Sequence, residues 1–528
     1  MEIPPISPLR RSRRGAISGA VLFPGVTILT PLLTTGTANA NPPLPTIGSD
    51  NFTITGLVNS PSESLANDNT NAAAIVSAIN TCAADGGGTV TIPAGTYFTN
   101  GMYIPSGDDG VELQILGNLV AASQTNYVEP NGENDFIYWK NADNDEINGN
   151  GLGTIYGQGE TWWSNANDTN TPHLIDFSSA NTLEVTNITA FNSPKEFFTF
   201  GGASTNNVTF NEVTINAPGT SPNTDGIDPD GNNFLITNSY ISTGDDDISP
   251  KAEAGNSPAN NIAITNDTIG TGHGISLGTT SVLGMNNITV NNVTFNGTAF
   301  GLRMKSEADN GGVVQNISYN NITMTNVFYP IFISSWYNGT GFTYPPNANG
   351  AATFNSATNS PYSNGVTPLW SNITYNNITS SWTSTTVANY QDSIAGLLYG
   401  LPASVIQNVD FNNVKLSAYQ GMSLAYAGTN SAPIDFTGNW SINVGTGQQF
   451  GTFTNPVDAN VGANDGAGGN PGSLVYWNGT ASSGTFATWE ASNIVTLNVP
   501  EPTTLSLALA GSALILMRRR RENPPRQT

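Results

Sequence analysis

Four short motifs hold the residue types that could do chemistry: Asn223-Thr224-Asp225-Gly226, Gly244-Asp245-Asp246-Asp247, Gly272-His273-Gly274 and Arg303-Met304-Lys305. They follow one another within residues 223–305. Paired carboxylates, a titratable imidazole and a small cationic patch are the parts needed to cleave a glycosidic bond in an acidic sugar. Three carboxylates held close together do not all ionise freely. One keeps a raised pKa and suits a general acid, while another stays ionised and activates water.

The cations matter because there are so few of them. Between Asn41 and Pro500 the chain has six Lys and Arg against 35 Asp and Glu, a net −29, and three of the six are Lys251, Arg303 and Lys305. A field of that sign disfavours nucleic acid and anionic membrane as partners. It also leaves the capture of a polyanion to a local cationic patch. Lys251 is open to two readings, a substrate contact or a solvated surface lysine. His173 reads as a structural or surface histidine. Asp228, Asp230 and Asp247 read as turn or ladder residues.

Repeats supply the elements that must position these groups. Asn206-Asn207-Val208-Thr209-Phe210 recurs as Asn260-Asn261-Ile262-Ala263-Ile264 and as Asn286-Asn287-Ile288-Thr289-Val290. From Leu183 to Val208, Phe234, Ile262, Ile288 and Ile317 the intervals are 25, 26, 28, 26 and 29 residues. A period of that size marks a solenoid. Within each repeat the apolar residues alternate with period two, which is the period of a strand. The Asn, Gly and Asp between strands tolerate left-handed turns and can stack from coil to coil. The fold class expected is therefore all-β, a parallel β-helix, with a helix over Ala72–Cys82 capping its N-terminal end. Coils stack about 4.8 Å apart. Asp225, the Asp245/Asp246 pair, His273 and Arg303/Lys305 then fall on successive coils and form one groove. Gly244 and its turn context let neighbouring Asp245 and Asp246 face one surface, as a bulge does.

With these residues the chain resembles the polygalacturonase family of glycoside hydrolases (family 28), whose signatures are Asn-Thr-Asp, Gly-Asp-Asp, Gly-His-Gly and Arg-Ile-Lys. Similar segments are Gly86-Gly87-Gly88-Thr89-Val90-Thr91-Ile92-Pro93, Gly157-Gln158-Gly159 before Trp162-Trp163, and Asn192-Ser193-Pro194. The resemblance covers roughly 54–430 and implies a right-handed helix. It also implies inverting hydrolysis of α-1,4-linked galacturonate in pectic polysaccharide, by a monomer, with no cofactor and no metal. In that reading Asp245 is the general acid, Asp225 and Asp246 are bases, and His273 sets the protonation of the acid. Asn223, Arg303, Lys305 and Tyr337 bind substrate, the two cations gripping the galacturonate carboxylate. Four departures stand out: Asp247 where many relatives carry Cys, Met304 in place of Ile, Thr171 where they often have Arg before Pro, and the Ser193-Pro194-Lys195-Glu196 stretch in place of the usual aromatic continuation.

The ends read as processing signals. Arg10–Arg14, an apolar stretch to Leu33 and Ala38-Asn39-Ala40 make residues 1–40 a signal peptide. Residues 500–528, with Pro500-Glu501-Pro502, the apolar run Leu505–Met517 and Arg518–Arg521, resemble the PEP-CTERM sorting signal of Gram-negative bacteria. They imply export and a partner in the envelope sorting machinery. Between the ends lie a linker (41–53), the coils (54–430) with an inserted loop at 340–369, and a β-rich tail (431–499) in which the coil spacing is lost. Cys82 is the only cysteine and reads as a buried small hydrophobe. Alternatives to a polygalacturonase are a rhamnogalacturonan or xylogalacturonan hydrolase on the same scaffold, a pectate lyase, and a non-catalytic glycan-binding surface solenoid.

Overall fold

A computed structural model describes residues 41–443, apart from 166–169, 338–365, 384–389, 391–392, 402, 426, 429–433 and 438, together with the strands Gly451–Thr454, Leu474–Trp477 and Ala487–Trp489. The expected leader, the sorting segment and most of the inserted loop lie outside these residues. Among the described residues no helix is long and apolar enough to cross a membrane.

The chain winds as a right-handed parallel β-helix, the hand that right-twisted strands impose on parallel crossovers. The apolar residue of each repeat sets the register. Leu183, Val208, Phe234, Ile262, Ile288, Ile317, Ile373, Val409 and Ile434 pair strand to strand in one column, and all are buried. Each such side chain contributes about 1.5–3 kcal/mol by leaving water. A second inward column, Ile137, Ile175, Phe198, Ile227, Ile248, Ile275, Leu302 and Ile331, lines the ladder that carries the four motifs.

Asparagine turns each corner. Asn207, Asn233, Asn261 and Asn287 have φ of 60, 57, 57 and 57°, a region that costs most other side chains about 1–2 kcal/mol. Their amides form a ladder: Asn233 donates to Asn207 at 2.6 Å, Asn261 to Asn233 at 2.9 Å and Asn287 to Asn261 at 3.1 Å. A second ladder runs along the next corner, through Asn266–Asn292 and Asn321–Asn377–Asn413. The paired Asn of the repeat are thus a backbone requirement and a bonded stack at once.

The N-terminal end is capped by a helix longer than the sequence suggested, Leu65–Ala84. Ser64 Oγ accepts from Asn67 N at 3.3 Å, and Gly86 and Gly87, with φ of 102 and 91°, turn the chain away. Ile75, Ile79 and Cys82, one face of that helix, close the core with no exposure.

Pairing crosses three of the expected boundaries. Asn51–Thr53, placed in the linker, pairs in parallel with Thr89–Thr91. Parallel pairing also continues past 430, since Ile434–Thr437 and Ser441–Asn443 stack on the preceding coil. The inserted loop ends before 369: Val366 bridges Asn310, and Leu369 begins a ladder strand. The spacing signal fades at 51–53 and past 430 because short strands with few apolar residues leave no periodic mark.

Candidate active site

The site is built where the groove ladder is thinnest. Ile227, Ile248 and Ile275 bridge in parallel, and Ile275 pairs with Leu302 in the strand Phe300–Lys305. Two residues before each isoleucine stand Asp225, Asp246 and His273, which the register therefore stacks. One residue after stand Asp228, Ser249, Ser276 and, opposite, Arg303.

The glycines of the motifs permit close backbone approach. A Cβ on Gly244 would come within 2.0 Å of Ser221 O, and Gly244 N instead donates to Thr224 Oγ1 at 3.0 Å. That bond ties the Asp225 turn to the Asp245/Asp246 turn. Gly272, at φ 130°, leaves room for the Asp247 carboxylate, where a Cβ would come within 2.5 Å of Oδ2. Asp247 then accepts from Thr243 N at 3.1 Å, Thr243 Oγ1 at 3.0 Å and Gly274 N at 2.9 Å. It holds two turns together beneath the site, and burial pushes its carboxyl well above the usual range.

Asp246 is the hub. Its Oδ1 lies 3.0 Å from Arg303 Nη1, 2.7 Å from Ser276 Oγ and 3.7 Å from His273 Nδ1, and its Oδ2 lies 2.8 Å from Lys305 Nζ. Asp245 Oδ1 accepts from Asp246 N at 2.9 Å and faces His273 Nδ1 at 2.9 Å. His273 N also donates to Asp245 O at 2.7 Å, which fixes the imidazole against its partner. On the neighbouring coil Lys251 Nζ lies 3.5 Å from Asp225 Oδ2 and is hydrogen-bonded to Asp228 Oδ2. The Arg303 guanidinium sits 4.1 Å from the Phe300 ring centroid and 6.0 Å from that of Phe332, a favourable cation–π setting. The Tyr337 ring lies 5.0 Å from Lys305 Nζ and 5.8 Å from Arg303 Cζ. Asn223 is exposed at the rim, in a turn with φ 50°.

Arg303, with no exposed surface, and Lys305, 5% exposed, both close on Asp246. Burial, with the charges of Asp228 and Asp245 added, pushes Asp225 well above its usual range, and Lys251 only partly opposes this. Burial opposes ionisation of Asp245 too, but His273 overcomes it and the net shift is down. Asp246 is likewise buried, and Lys305, Arg303 and His273 hold it below the usual range. Asp225 is thus disposed to hold a proton, and Asp245 and Asp246 to ionise. Lys251 is no solvated lysine: against burial, Asp228 and Asp225 raise its pKa well above the usual value.

Ser249, Ser276, Phe300 and Phe332 were missed by sequence reasoning. For the serines a signal existed, since Ile248-Ser249 and Ile275-Ser276 repeat the same dipeptide one coil apart. For a metal, Asp245, Asp246 and His273 bring one donor atom each within 4.8 Å of one another. Both Asp246 oxygens already face a cation, so an ion there would have to displace Lys305 or Arg303.

The model of the family described as glycosyl hydrolases family 28 matches residues 82–423. The endo-polygalacturonase of Pectobacterium parmentieri is 33% identical over 302 residues, 52% of this chain and 73% of that protein. Among solved structures, the polygalacturonase from Erwinia carotovora ssp. carotovora aligns with a TM-score of 0.55 at 28% identity, covering 71% of this chain and 95% of that one. The endo-xylogalacturonan hydrolase from Aspergillus tubingensis shares the fold, with a TM-score of 0.52 at 21% identity over 78% of this chain and all of that one.

Proposed function

The chain belongs to glycosyl hydrolases family 28 and is a polygalacturonase-like hydrolase, and on that premise we propose that it cleaves α-1,4-galacturonosyl linkages of pectic galacturonan with inversion. The observation that carries this reading is the convergence of Arg303 and Lys305 on Asp246. Two cations held on one carboxylate, in a chain otherwise so acidic, give a substrate carboxylate a place to bind by sharing them.

The proton chemistry follows from that exchange. A galacturonate carboxylate brings one more negative charge to the site and draws the cations away from the aspartates, which raises the pKa of Asp245. Asp245, its pKa raised, takes a proton from solvent while its Oδ1 keeps the contact with His273 Nδ1, and delivers that proton to the leaving oxygen. Asp246, ionised and partly released by Lys305, takes the proton of the attacking water. Asp225 keeps its own proton and hydrogen-bonds that water instead of deprotonating it. Tyr337 walls the site beside the sugar. A second reading gives Asp225 the acid role, and its raised pKa favours it.

The deciding experiment is reducing-end release from polygalacturonic acid by the full chain, beside Asp246→Asn and with chelator present. Release that is lost in the variant, indifferent to chelator and free of unsaturated product supports hydrolysis of plain galacturonan. An unsaturated product would mean elimination. Release only from xylogalacturonan or rhamnogalacturonan would move the specificity to a branched polymer. We further assign residues 1–40 to export and 500–528 to PEP-CTERM sorting, on composition alone. Terminal mass spectrometry of protein from the native envelope tests both cleavages.

A further inference from the structure

One face of the solenoid carries aromatic side chains that the core does not use. The strands Thr96–Thr99, Asn118–Ala121, Thr154–Tyr156 and Thr189–Phe191 stack in parallel. Phe98, Val120, Tyr156 and Phe191 thereby form one column, and Thr96, Asn118, Thr154 and Thr189 another. Tyr97, Leu119, Ile155 and Ala190, between the two columns, are buried, so strand alternation turns both columns outward. Phe191 leads through Asn192-Ser193-Pro194 to the groove-ladder strand Phe198–Phe200, which pairs with Ile227–Asp228. The aromatic column thus lies one corner away from the active site, and the reaction described above uses none of it.

The column lacks one ring. Tyr156 and Phe191 stack with centroids 4.5 Å apart and planes 7° from parallel, which covers one face of Tyr156. Its other face is turned to the next coil, where Val120 supplies no ring, and Phe98 stands one coil beyond. Strands two coils apart are separated by about 10 Å. Elsewhere the same chain fills such a column: Tyr319, Tyr375, Phe411 and Phe436, on successive coils, stack at 4.9, 4.8 and 4.6 Å. The gap at Val120 is therefore one ring thick. It opens a cavity of about 330 Å³ lined by Phe98, Val120 and Tyr156, within the range of small-molecule sites. Polar groups follow one edge, where Thr154 Oγ1 donates to Asn118 Oδ1 at 2.7 Å and Asn118 Nδ2 to Thr96 Oγ1 at 3.3 Å. Gln158, also at the wall, donates from Nε2 to Ala121 O at 2.5 Å, which leaves Oε1 to accept from a ligand hydroxyl. Among the described residues no charged side chain lines the cavity. Glu160, which accepts from Tyr156 Oη and from Asn192 Nδ2 at 3.1 Å, places a negative charge beside it.

A slot one ring thick, aromatic on its walls and polar along one edge, matches a pyranose. The C–H faces of such a ring pack on aromatic side chains while its hydroxyls hydrogen-bond at the edge. The acid beside the slot disfavours a uronate. We propose that the slot between Phe98 and Tyr156 binds an uncharged pyranose, a neutral branch of a pectic polymer, and holds the enzyme to branched substrate beside the groove. The source of the sugar rests on the pectic reading above, whereas the slot itself rests on the missing ring. Its residues stand away from the reacting atoms and act on capture alone.

The test is retardation of the full chain in native gels containing β-1,4-galactan, beside gels containing linear polygalacturonate. Val120→Phe supplies the missing ring and closes the slot without touching the groove. It should weaken galactan binding on the order of tenfold, keep the wild-type Tm, and leave kcat and KM on linear polygalacturonate unchanged. Phe98→Leu removes one wall without adding bulk, and should weaken galactan binding in the same direction; it decides the matter if Val120→Phe lowers Tm. Galactan retardation equal in the wild type and both variants would overturn the proposal, as would a wild type that galactan does not retard. Retardation by polygalacturonate that Val120→Phe abolishes would give the slot to the charged backbone and end the neutral-sugar assignment. A wild type retarded by galactan through the slot, yet releasing no reducing ends from polygalacturonate, would sink the galacturonan hydrolysis and leave the slot standing.

Discussion

Lys305 Nζ lies 2.8 Å from Asp246 Oδ2, so a cation expected to hold the substrate is engaged with one of the enzyme's own carboxylates. The same contact ties binding to protonation, because whatever draws Lys305 away raises the pKa of Asp246 and of Asp245 beside it.

Lys305→Met should therefore do two separable things. Breaking a buried ion pair on one side leaves an uncompensated charge, and kcat/KM on polygalacturonate should fall on the order of 10²–10³-fold. The pKa of Asp246 should rise, since Lys305 is the largest of the groups lowering it against burial. The acidic limb of the kcat/KM profile should move to higher pH. A profile that keeps its acidic limb while losing amplitude would separate Asp246 from the essential base.

The two readings of the acid part on a substrate whose leaving group needs little protonation. With galacturonosyl fluoride, a variant lacking the acid keeps most of its rate, and a variant lacking the base does not. Asp245→Asn should retain activity on the fluoride while losing it on polymer, and Asp246→Asn should lose both. Retention by Asp225→Asn instead would transfer the acid role to Asp225.

Asp267 makes a pH-dependent contribution to stability away from the groove. It is 2% exposed, its Oδ1 accepts from Ser239 N at 2.7 Å, and burial lifts its pKa from 3.8 to about 7. The folded state thus holds this proton more tightly than the unfolded chain, and stability should fall as pH rises from about 4 to 7, by an upper bound on the order of 4 kcal/mol. Asp267→Asn cannot ionise, so the slope of Tm against pH over that interval should flatten. An unchanged slope would place the titration elsewhere.

Asn261 tests the corner ladder. Asn261→Ala removes the bonds to Asn233 and Asn287 and puts alanine, which disfavours it, at φ 57°. The expected cost in denaturant unfolding is about 2–4 kcal/mol. Asn261→Gly loses the same bonds but accepts the dihedral, and should cost about half as much. Equal losses would mean that the backbone conformation contributes nothing.

The solenoid was legible because its determinants are local. An Asn able to take positive φ, followed by alternating β-branched residues, is read within a few positions, and its recurrence gave the register from Leu183 to Ile317 before any coil was stacked. Asp225, Asp245, Asp246, His273, Arg303 and Lys305 were legible for the same reason, since glycines or a turn mark their neighbourhoods. Ser249 and Ser276 escaped because a serine after an isoleucine says nothing about what lies above or below it. The extent of the coils past 430 escaped because those strands are short and sparsely apolar.

By itself, then, the sequence determined the winding of the chain and which groups share one groove, through dihedral preference and apolar period. Only the tertiary structure decided which charges pair. Asp246 meets Arg303 57 residues away and Asp225 meets Lys251, and these contacts between coils, with the burial around them, push the pKa of Asp225 up and those of Asp245 and Asp246 down. Ionisation depends on distance and on lost solvent summed over several coils, and no single stretch of chain encodes that sum.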